Sequence, residues 1–166
     1  MMKASLQLPD VLGRLIAEGL WPERESAQLQ NLTPLIPNES VRKFAPDEER
    51  IFLYPPPFAT VAEAAKHNKY WEDERSAPGE IDPERALLIG DFGLGSDTAI
   101  ILDYRTGTPR LLRLQWGDKE NHWIEFGIEI SELASLIRKH KAEPAGCTER
   151  RDRVSVDNRA SSTRRR

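Results

Sequence analysis

Three aspartates in the second half of the chain carry side chains that could do acid–base or metal chemistry. Asp91, Asp97 and Asp103 each stand at the boundary of an apolar run. Paired carboxylates can divide the roles of general acid and general base when their environments separate their pKa values. A hard divalent cation also binds several carboxylate oxygens at once. A small aspartate-dependent hydrolase or metal-dependent enzyme is therefore one hypothesis, and it requires the three carboxylates to converge.

The remaining chemistry-bearing residues do not complete such a site. The histidines His67, His122 and His140 are scattered along the chain, and none stands with the aspartates in a triad pattern. Asp103 ends an apolar run, and a strand end can direct its carboxylate away from Asp91. The only cysteine, Cys147, has no second thiol for a disulfide or a zinc site. We therefore expect no catalysis, no metal and no cofactor.

The segment Gly90-Asp91-Phe92-Gly93-Leu94-Gly95-Ser96-Asp97 lies between two apolar runs and is the most informative part of the chain. Its three glycines within six residues indicate an unusual backbone path. In one interpretation Asp91, Ser96 and Asp97 hydrogen-bond to the local main chain and hold the turn. In the other, a rigid exposed loop presents carboxylates and bare backbone to a partner. If Gly93 has a positive φ, any side chain placed there would distort the loop.

Two short motifs within this segment are accidental. Asp91-Phe92-Gly93 matches the metal-binding triplet of protein kinases, but the chain is too short and has no His-Arg-Asp catalytic loop. Gly93-Leu94-Gly95 matches the start of a dinucleotide-binding fingerprint. No third glycine follows at the required offset, and a predicted strand follows where a helix would be needed.

The apolar patterns around the segment predict an α+β fold. A helix is expected from Asp10, as its cap, to Gly19. A short strand follows at Ile51–Tyr54, and a capping box at Thr60–Glu63 starts a helix that continues to Trp71. Four strands in sequence then favour an antiparallel meander, followed by a closing helix capped by Ser131. These four strands are predicted at 86–89, 98–102, 112–116 and 122–128. The expected sheet is mixed, largely antiparallel, with five to six strands and helices packed on it.

Length and charge distribution predict one domain with a basic tail. The 166 residues carry a net charge of −3, but residues 141–166 hold eight basic and four acidic side chains, which leaves −7 on the remainder. We predict a domain at 1–140 and a disordered polar tail at 141–166. An acidic body argues against nucleic-acid binding. No apolar run reaches the roughly 18–20 residues that span a bilayer. The first residues contain no apolar h-region, so we expect a cytoplasmic protein without membrane contact.

The second half of the chain resembles the SUKH superfamily, which includes a yeast regulator of cell-wall assembly and many bacterial immunity proteins. The similar stretch runs from Leu87 to Arg105: an apolar strand, the glycine–aspartate loop, and a strand that ends in Asp103-Tyr104. The strand at 109–116, Trp123 and the helix from Ser131 extend the resemblance over roughly 81–140. It implies a non-enzymatic protein-binding module, in bacteria often an immunity protein that neutralises a toxin by direct binding. The expected binding residues are Asp91, Gly93, Gly95, Ser96, Asp97, Asp103, Tyr104 and Arg105.

Overall fold

The computed structural model describes residues 6–67, 80–93 and 98–143, which form helices packed on a five-stranded sheet. The helices are α1 (Asp10–Ala17), α2 (Arg24–Ala27), α3 (Asn38–Phe44), α4 (Val61–Ala65) and α5 (Ile130–Ala142). The strands are β1 (Phe52–Leu53), β2 (Ala86–Asp91), β3 (Ala99–Asp103), β4 (Arg110–Gln115) and β5 (His122–Glu125). The strand order is β1-β2-β3-β4-β5, and every pair is antiparallel. The predicted α+β class and the meander are confirmed.

Side chains of the central strands alternate between two apolar cores. On β2, Leu87 and Ile89 face the larger core, which α1, α3 and α5 cover. Ala86 and Leu88 face a smaller core on the other side, where α4 contributes Val61. Because successive strand residues point to opposite faces, a strand between two cores must be apolar throughout. This accounts for the continuous apolar runs in the sequence.

Helix α1 ends where the sequence predicts, but its N-cap is not the predicted residue. Gly19 adopts φ 67°, and the amides of Gly19 and Leu20 donate to the carbonyls of Ile16 and Leu15, at 3.1 and 2.9 Å. This paired pattern is a Schellman motif, which glycine in the left-handed region permits. Asp10 is the first helical residue and makes no capping hydrogen bond; Pro9 holds the cap position. The prediction that Asp10 caps α1 is therefore wrong by one residue.

The two later helices begin at capping boxes. At α4 the Thr60 hydroxyl accepts from the amide of Glu63 and the Glu63 carboxylate accepts from the amide of Thr60, as predicted. This helix ends at Ala65, and the predicted continuation to Trp71 enters residues outside the described ranges. At α5 the cap is Glu129, paired with Glu132. The predicted cap Ser131 is already inside that helix.

At each outer edge of the sheet, a side chain forms hydrogen bonds with the backbone of the edge strand. At β1 the buried Gln30 amide accepts from the Leu53 N–H at 2.9 Å and donates to the Leu53 carbonyl at 2.8 Å. At β5 the Glu80 carboxylate accepts from the Trp123 N–H at 2.6 Å. Each side chain takes the place of a neighbouring strand. Such edge protection is a common way to prevent unwanted strand pairing.

The predicted domain boundary at residue 140 is close to the end of α5, which continues to Ala142. The rest of the predicted tail, from residue 144 onward, lies outside the described ranges. Within those ranges, no helix combines the length and the apolar character needed to cross a membrane.

Candidate functional site at the end of the central hairpin

The antiparallel register separates two of the three candidate aspartates. Asp91 pairs with Ala99 and Asp103 pairs with Ala86, so the two carboxylates lie at opposite ends of the β2–β3 hairpin. At about 3.3 Å per residue, four to five residues place these ends roughly 15 Å apart. Asp97 lies outside the described residues. Asp91 and Asp103 therefore do not share a catalytic or metal site. Among the described residues, no group of three His, Cys, Asp or Glu side chains could hold a metal ion.

The Asp103 end of the hairpin is closed by contacts within the fold. Asp103 is fully buried; its carboxylate accepts from Arg110 Nη2 at 2.7 Å and from the Arg105 N–H at 3.1 Å. Tyr104 is buried too, and its hydroxyl donates to the Gln7 carbonyl at 2.8 Å. Burial raises the pKa of Tyr104 to about 12. Asp103 and Tyr104 were predicted to contact a partner, but burial removes both from the accessible surface. Arg105 is exposed.

At the other end of the hairpin, the Asp91 carboxylate also accepts hydrogen bonds that fix the turn, but it lies nearer to solvent than Asp103. Asp91 accepts from the Gly93 N–H at 2.7 Å and from the Tyr54 hydroxyl at 2.6 Å. Gly93 has φ 115°, and a Cβ on it would lie 2.8 Å from the Phe52 ring. Gly93 thus meets the condition of a positive φ under which a side chain would distort the loop, and Asp91 accepts the predicted hydrogen bond from the local main chain. The predicted binding residues Gly95, Ser96 and Asp97 lie outside the described ranges.

A groove of about 300 Å³ lies at this end of the hairpin, and we call it the loop-end groove. The described residues that line it are Asn31, Asp47, Glu48, Glu49, Arg50, Phe52, Phe92 and Gly93. Gly93 was predicted as a site residue, but the acidic run at 47–49 was not. It precedes β1 by only a few residues, and the only signal in the sequence was three consecutive acids. Nothing local indicated that this run would lie beside the hairpin.

The buried side chain of Arg113 contacts two acids of the groove, Asp47 and Glu48, which we call its acidic wall. This side chain is 8% exposed and donates to both carboxylate oxygens of Asp47, at 3.2 and 3.1 Å. Its guanidinium lies 5.7 Å from the centre of the Phe92 ring and 3.9 Å from Glu48 Oε1. The hydrogen bond from Arg113 is the main cause that lowers the pKa of Asp47. Arg113 thus fixes the wall while remaining almost inaccessible to a partner.

Glu48 is the acid of the groove whose pKa is raised. Its side chain is only 12% exposed. Burial is the largest cause that raises the pKa of Glu48, and a hydrogen bond with Thr98 opposes it. The neighbouring carboxylates of Asp47 and Asp91 raise that pKa further. A cation placed in the groove would therefore find a carboxylate that is partly desolvated and has two further carboxylates nearby.

Aromatic and apolar groups complete the surface. Phe92 is buried beneath the groove and stacks on Phe126, with ring centroids 5.5 Å apart, while Phe52 is only half-buried. Leu29 and Leu32, on either side of groove residue Asn31 in the sequence, are 55% and 82% exposed. Acidic side chains beside the half-buried Phe52 ring suit the guanidinium or ammonium group of a protein partner.

A second cavity, of about 220 Å³, lies between β4, β5 and the start of α5. Its polar groups already serve the fold. Arg110 pairs with Asp103, and Glu129 and Glu132 form the capping box of α5. Gly127 at its edge has φ 105°, and a Cβ there would lie 2.4 Å from the Phe44 carbonyl oxygen. Two of its three acids therefore belong to the helix cap, and Glu125 is the third.

Comparisons of this chain with protein-family models, curated proteins and solved structures found no match in any of the three.

Proposed function

We propose that this chain is a non-enzymatic protein-binding module that uses the loop-end groove to bind a basic surface of another protein. The observation that carries the proposal is the groove itself: Asp47, Glu48 and Glu49 line it together with the half-buried Phe52, beside a hairpin end fixed by Asp91. The resemblance to SUKH proteins adds the kind of partner. We propose a bacterial immunity protein that acts in the cytoplasm and neutralises a toxin domain by direct binding.

Charge supports a basic partner. Residues 1–140 carry about −7 of charge, balanced only by the +4 of residues 141–166. An acidic protein attracts a basic one over a distance and speeds their association. Many toxins that degrade nucleic acids are basic, and an acidic inhibitor would suit them. Glu48 supplies a local reason as well, since a partner's cation would offset the unfavourable ionisation of a carboxylate with little solvent.

Catalysis by the aspartates is the weaker proposal. It needed Asp91, Asp97 and Asp103 together, and Asp91 and Asp103 occupy opposite ends of the hairpin. Asp103 is also fully buried and paired with Arg110. An enzyme would have to place its reacting groups elsewhere.

Co-expression with toxins encoded beside this gene tests the proposal. The informative variant is Glu49→Lys, because Glu49 is 76% exposed and lines the groove, so reversing its charge leaves the core intact. Glu125→Lys is the matched control: this residue is also exposed and lies on β5, at the opposite edge of the sheet from β1. We expect rescue and co-purification for the wild type and for Glu125→Lys, and at least a tenfold weaker Kd for Glu49→Lys, equivalent to roughly 1.4 kcal/mol. Equal effects of the two variants would contradict the assignment of the groove.

A further inference from the structure

We propose that the chain's own basic segment, residues 144–166, docks in the loop-end groove of the same molecule and competes there with the protein partner. The competition rests on the proposed function, whereas the docking can be measured with no partner present. Three features favour this segment as the occupant: its charge, the position of the end of α5 from which it continues, and its length.

The charge of the segment complements that of the groove. Residues 144–166 contain seven arginines against three acids, whereas residues 1–143 carry −7. Arginine is suited to this groove because its planar guanidinium can pair with a carboxylate and stack on an aromatic ring at once. Glu49 pairs with Arg42 at 3.4 Å and Asp47 with Arg113 at 3.1 Å, yet the two acidic side chains remain 76% and 54% exposed and can accept a further cation. The arginines are Arg150, Arg151, Arg153, Arg159, Arg164, Arg165 and Arg166.

Helix α5 delivers the segment on the side of the molecule where the groove lies. His140, in its last turn, lies 3.0 Å from the Pro34 carbonyl oxygen through Nε2. Arg138 forms an ion pair with Glu18 that ties the same part of α5 to the end of α1. Pro34 is three residues after Asn31, which lines the groove. Three residues span at most about 11 Å, so the last turn of α5 and the groove are near neighbours.

The length of the segment allows a weak contact to be populated. From Glu143 to Thr163 the chain could extend about 70 Å, which is far more than the distance between the last turn of α5 and the groove. A tether of this size gives an effective concentration in the millimolar range, so a contact with a Kd near 1 mM would be occupied in about half of the molecules. Exposed ion pairs of this kind weaken as salt shortens the Debye length from about 10 Å at 0.1 M.

The test places a nitroxide label near the end of the segment in the full chain. Cys147→Ser removes the only natural thiol, and Thr163→Cys introduces one beside the last three arginines. Paramagnetic broadening is then read on the amides of Glu49, Phe52 and Gly93 in the groove. The amides of Gly107 and Glu125 serve as controls, because they lie at the other end of the hairpin and at the far edge of the sheet.

We expect the groove amides to lose signal at low salt while the two control amides keep theirs. The loss should disappear at high salt and when Arg164, Arg165 and Arg166 are changed to Gln. Absence of broadening, or equal broadening over both regions, would overturn the inference. A mixture of isotope-labelled molecules that carry no nitroxide with nitroxide-labelled molecules that carry no isotope detects contacts between two molecules. If the broadening arises only in such a mixed sample, the inference is overturned too, because the segment then docks on another copy.

Partner binding separates this inference from the function on which it rests. If docking occurs, the Arg164, Arg165 and Arg166→Gln variant should bind the partner about twofold more tightly, since half-occupancy of the groove halves the apparent affinity. If docking is absent while Glu49→Lys still weakens partner binding, the inference alone fails. If docking occurs and no partner responds to Glu49→Lys, the proposed function fails.

Discussion

The two ends of the β2–β3 hairpin are built from the same local motif and differ in what surrounds it. At each end an aspartate accepts a hydrogen bond from the N–H two residues later, Asp91 from Gly93 at 2.7 Å and Asp103 from Arg105 at 3.1 Å. Asp103 is then covered and paired with Arg110. Asp91 meets the Tyr54 hydroxyl and borders the loop-end groove. The neighbours, supplied by other parts of the chain, close the Asp103 end and leave the Asp91 end beside the groove.

This comparison predicts unequal costs when either aspartate is removed. Asp103→Ala should lower the free energy of unfolding by about 3 kcal/mol, because it exposes no new surface but leaves the Arg110 guanidinium and the Arg105 amide without a buried acceptor. Asp91→Ala should cost about 1 kcal/mol, since Tyr54 and Gly93 lie closer to solvent and water can replace the carboxylate. Urea denaturation of both variants measures the difference. Equal losses would remove the distinction between a closed end and an open one.

Glycine substitutions sharpen the comparison at the level of the backbone. Gly93 and Gly107 both have a positive φ, 115° and 91°, and lie in the turns at the two ends of the hairpin. A Cβ on Gly93 would meet the Phe52 ring at 2.8 Å, whereas nothing lies within 4 Å of a Cβ on Gly107. Backbone strain alone costs about 1–2 kcal/mol. Gly93→Ala should therefore destabilise by about 1 kcal/mol more than Gly107→Ala in thermal unfolding. A smaller loss for Gly93→Ala would show that Phe52 moves aside freely.

Neighbouring acids of the groove should respond to pH in opposite directions. The lowered pKa of Asp47 means that its carboxylate stabilises the fold above the unfolded pKa and that this stability is lost as the pH falls. The raised pKa of Glu48 means that the fold is most stable with this group protonated and that stability is lost as the pH rises through its folded pKa. At pH 7, Asp47→Asn should destabilise and Glu48→Gln should stabilise, each by less than about 1 kcal/mol. Asp47 is half exposed, so solvent screens its pair with Arg113, and at Glu48 the contacts with Thr98 and Arg113 offset part of the cost of burial.

The control for this prediction is the same pair of variants at low pH. Below an unfolded pKa of about 4 both acids are protonated in the unfolded chain, and the difference that Glu48→Gln makes should vanish near pH 3. Denaturant unfolding at a series of pH values gives the result. A Glu48→Gln variant that is less stable than the wild type at pH 7 would show that the Thr98 and Arg113 contacts outweigh burial.

Local sequence signals predicted the elements better than they predicted the site. The Thr60–Glu63 capping box, the turn at Gly19 and the positive φ at Gly93 all depend on residues within a few positions of each other, and all are present. The continuous apolar run at Ala86 correctly predicted a strand between two cores. Such features are set by side-chain type and spacing alone.

The loop-end groove could not be predicted because its contacts join distant parts of the chain. Asp47 and Arg113 are separated by 66 residues, and no periodicity links them. The same limitation applies to the burial of Asp103 and Tyr104, which the sequence did not predict. Their position after an apolar strand suggested an exposed loop, but Arg110 in the next strand and Gln7 near the start of the chain bury and pair them. Polar residues beside a turn need such partners before burial is tolerated.

The measurement that tests the central claim most directly is hydrogen exchange of this protein alone and with a candidate toxin domain. The account predicts slower exchange in the complex at residues 47–53 and 91–93, which border the loop-end groove. It predicts unchanged exchange at 103–107, where Asp103 closes the other end of the hairpin. Protection confined to 103–107, with none around the groove, would contradict the account.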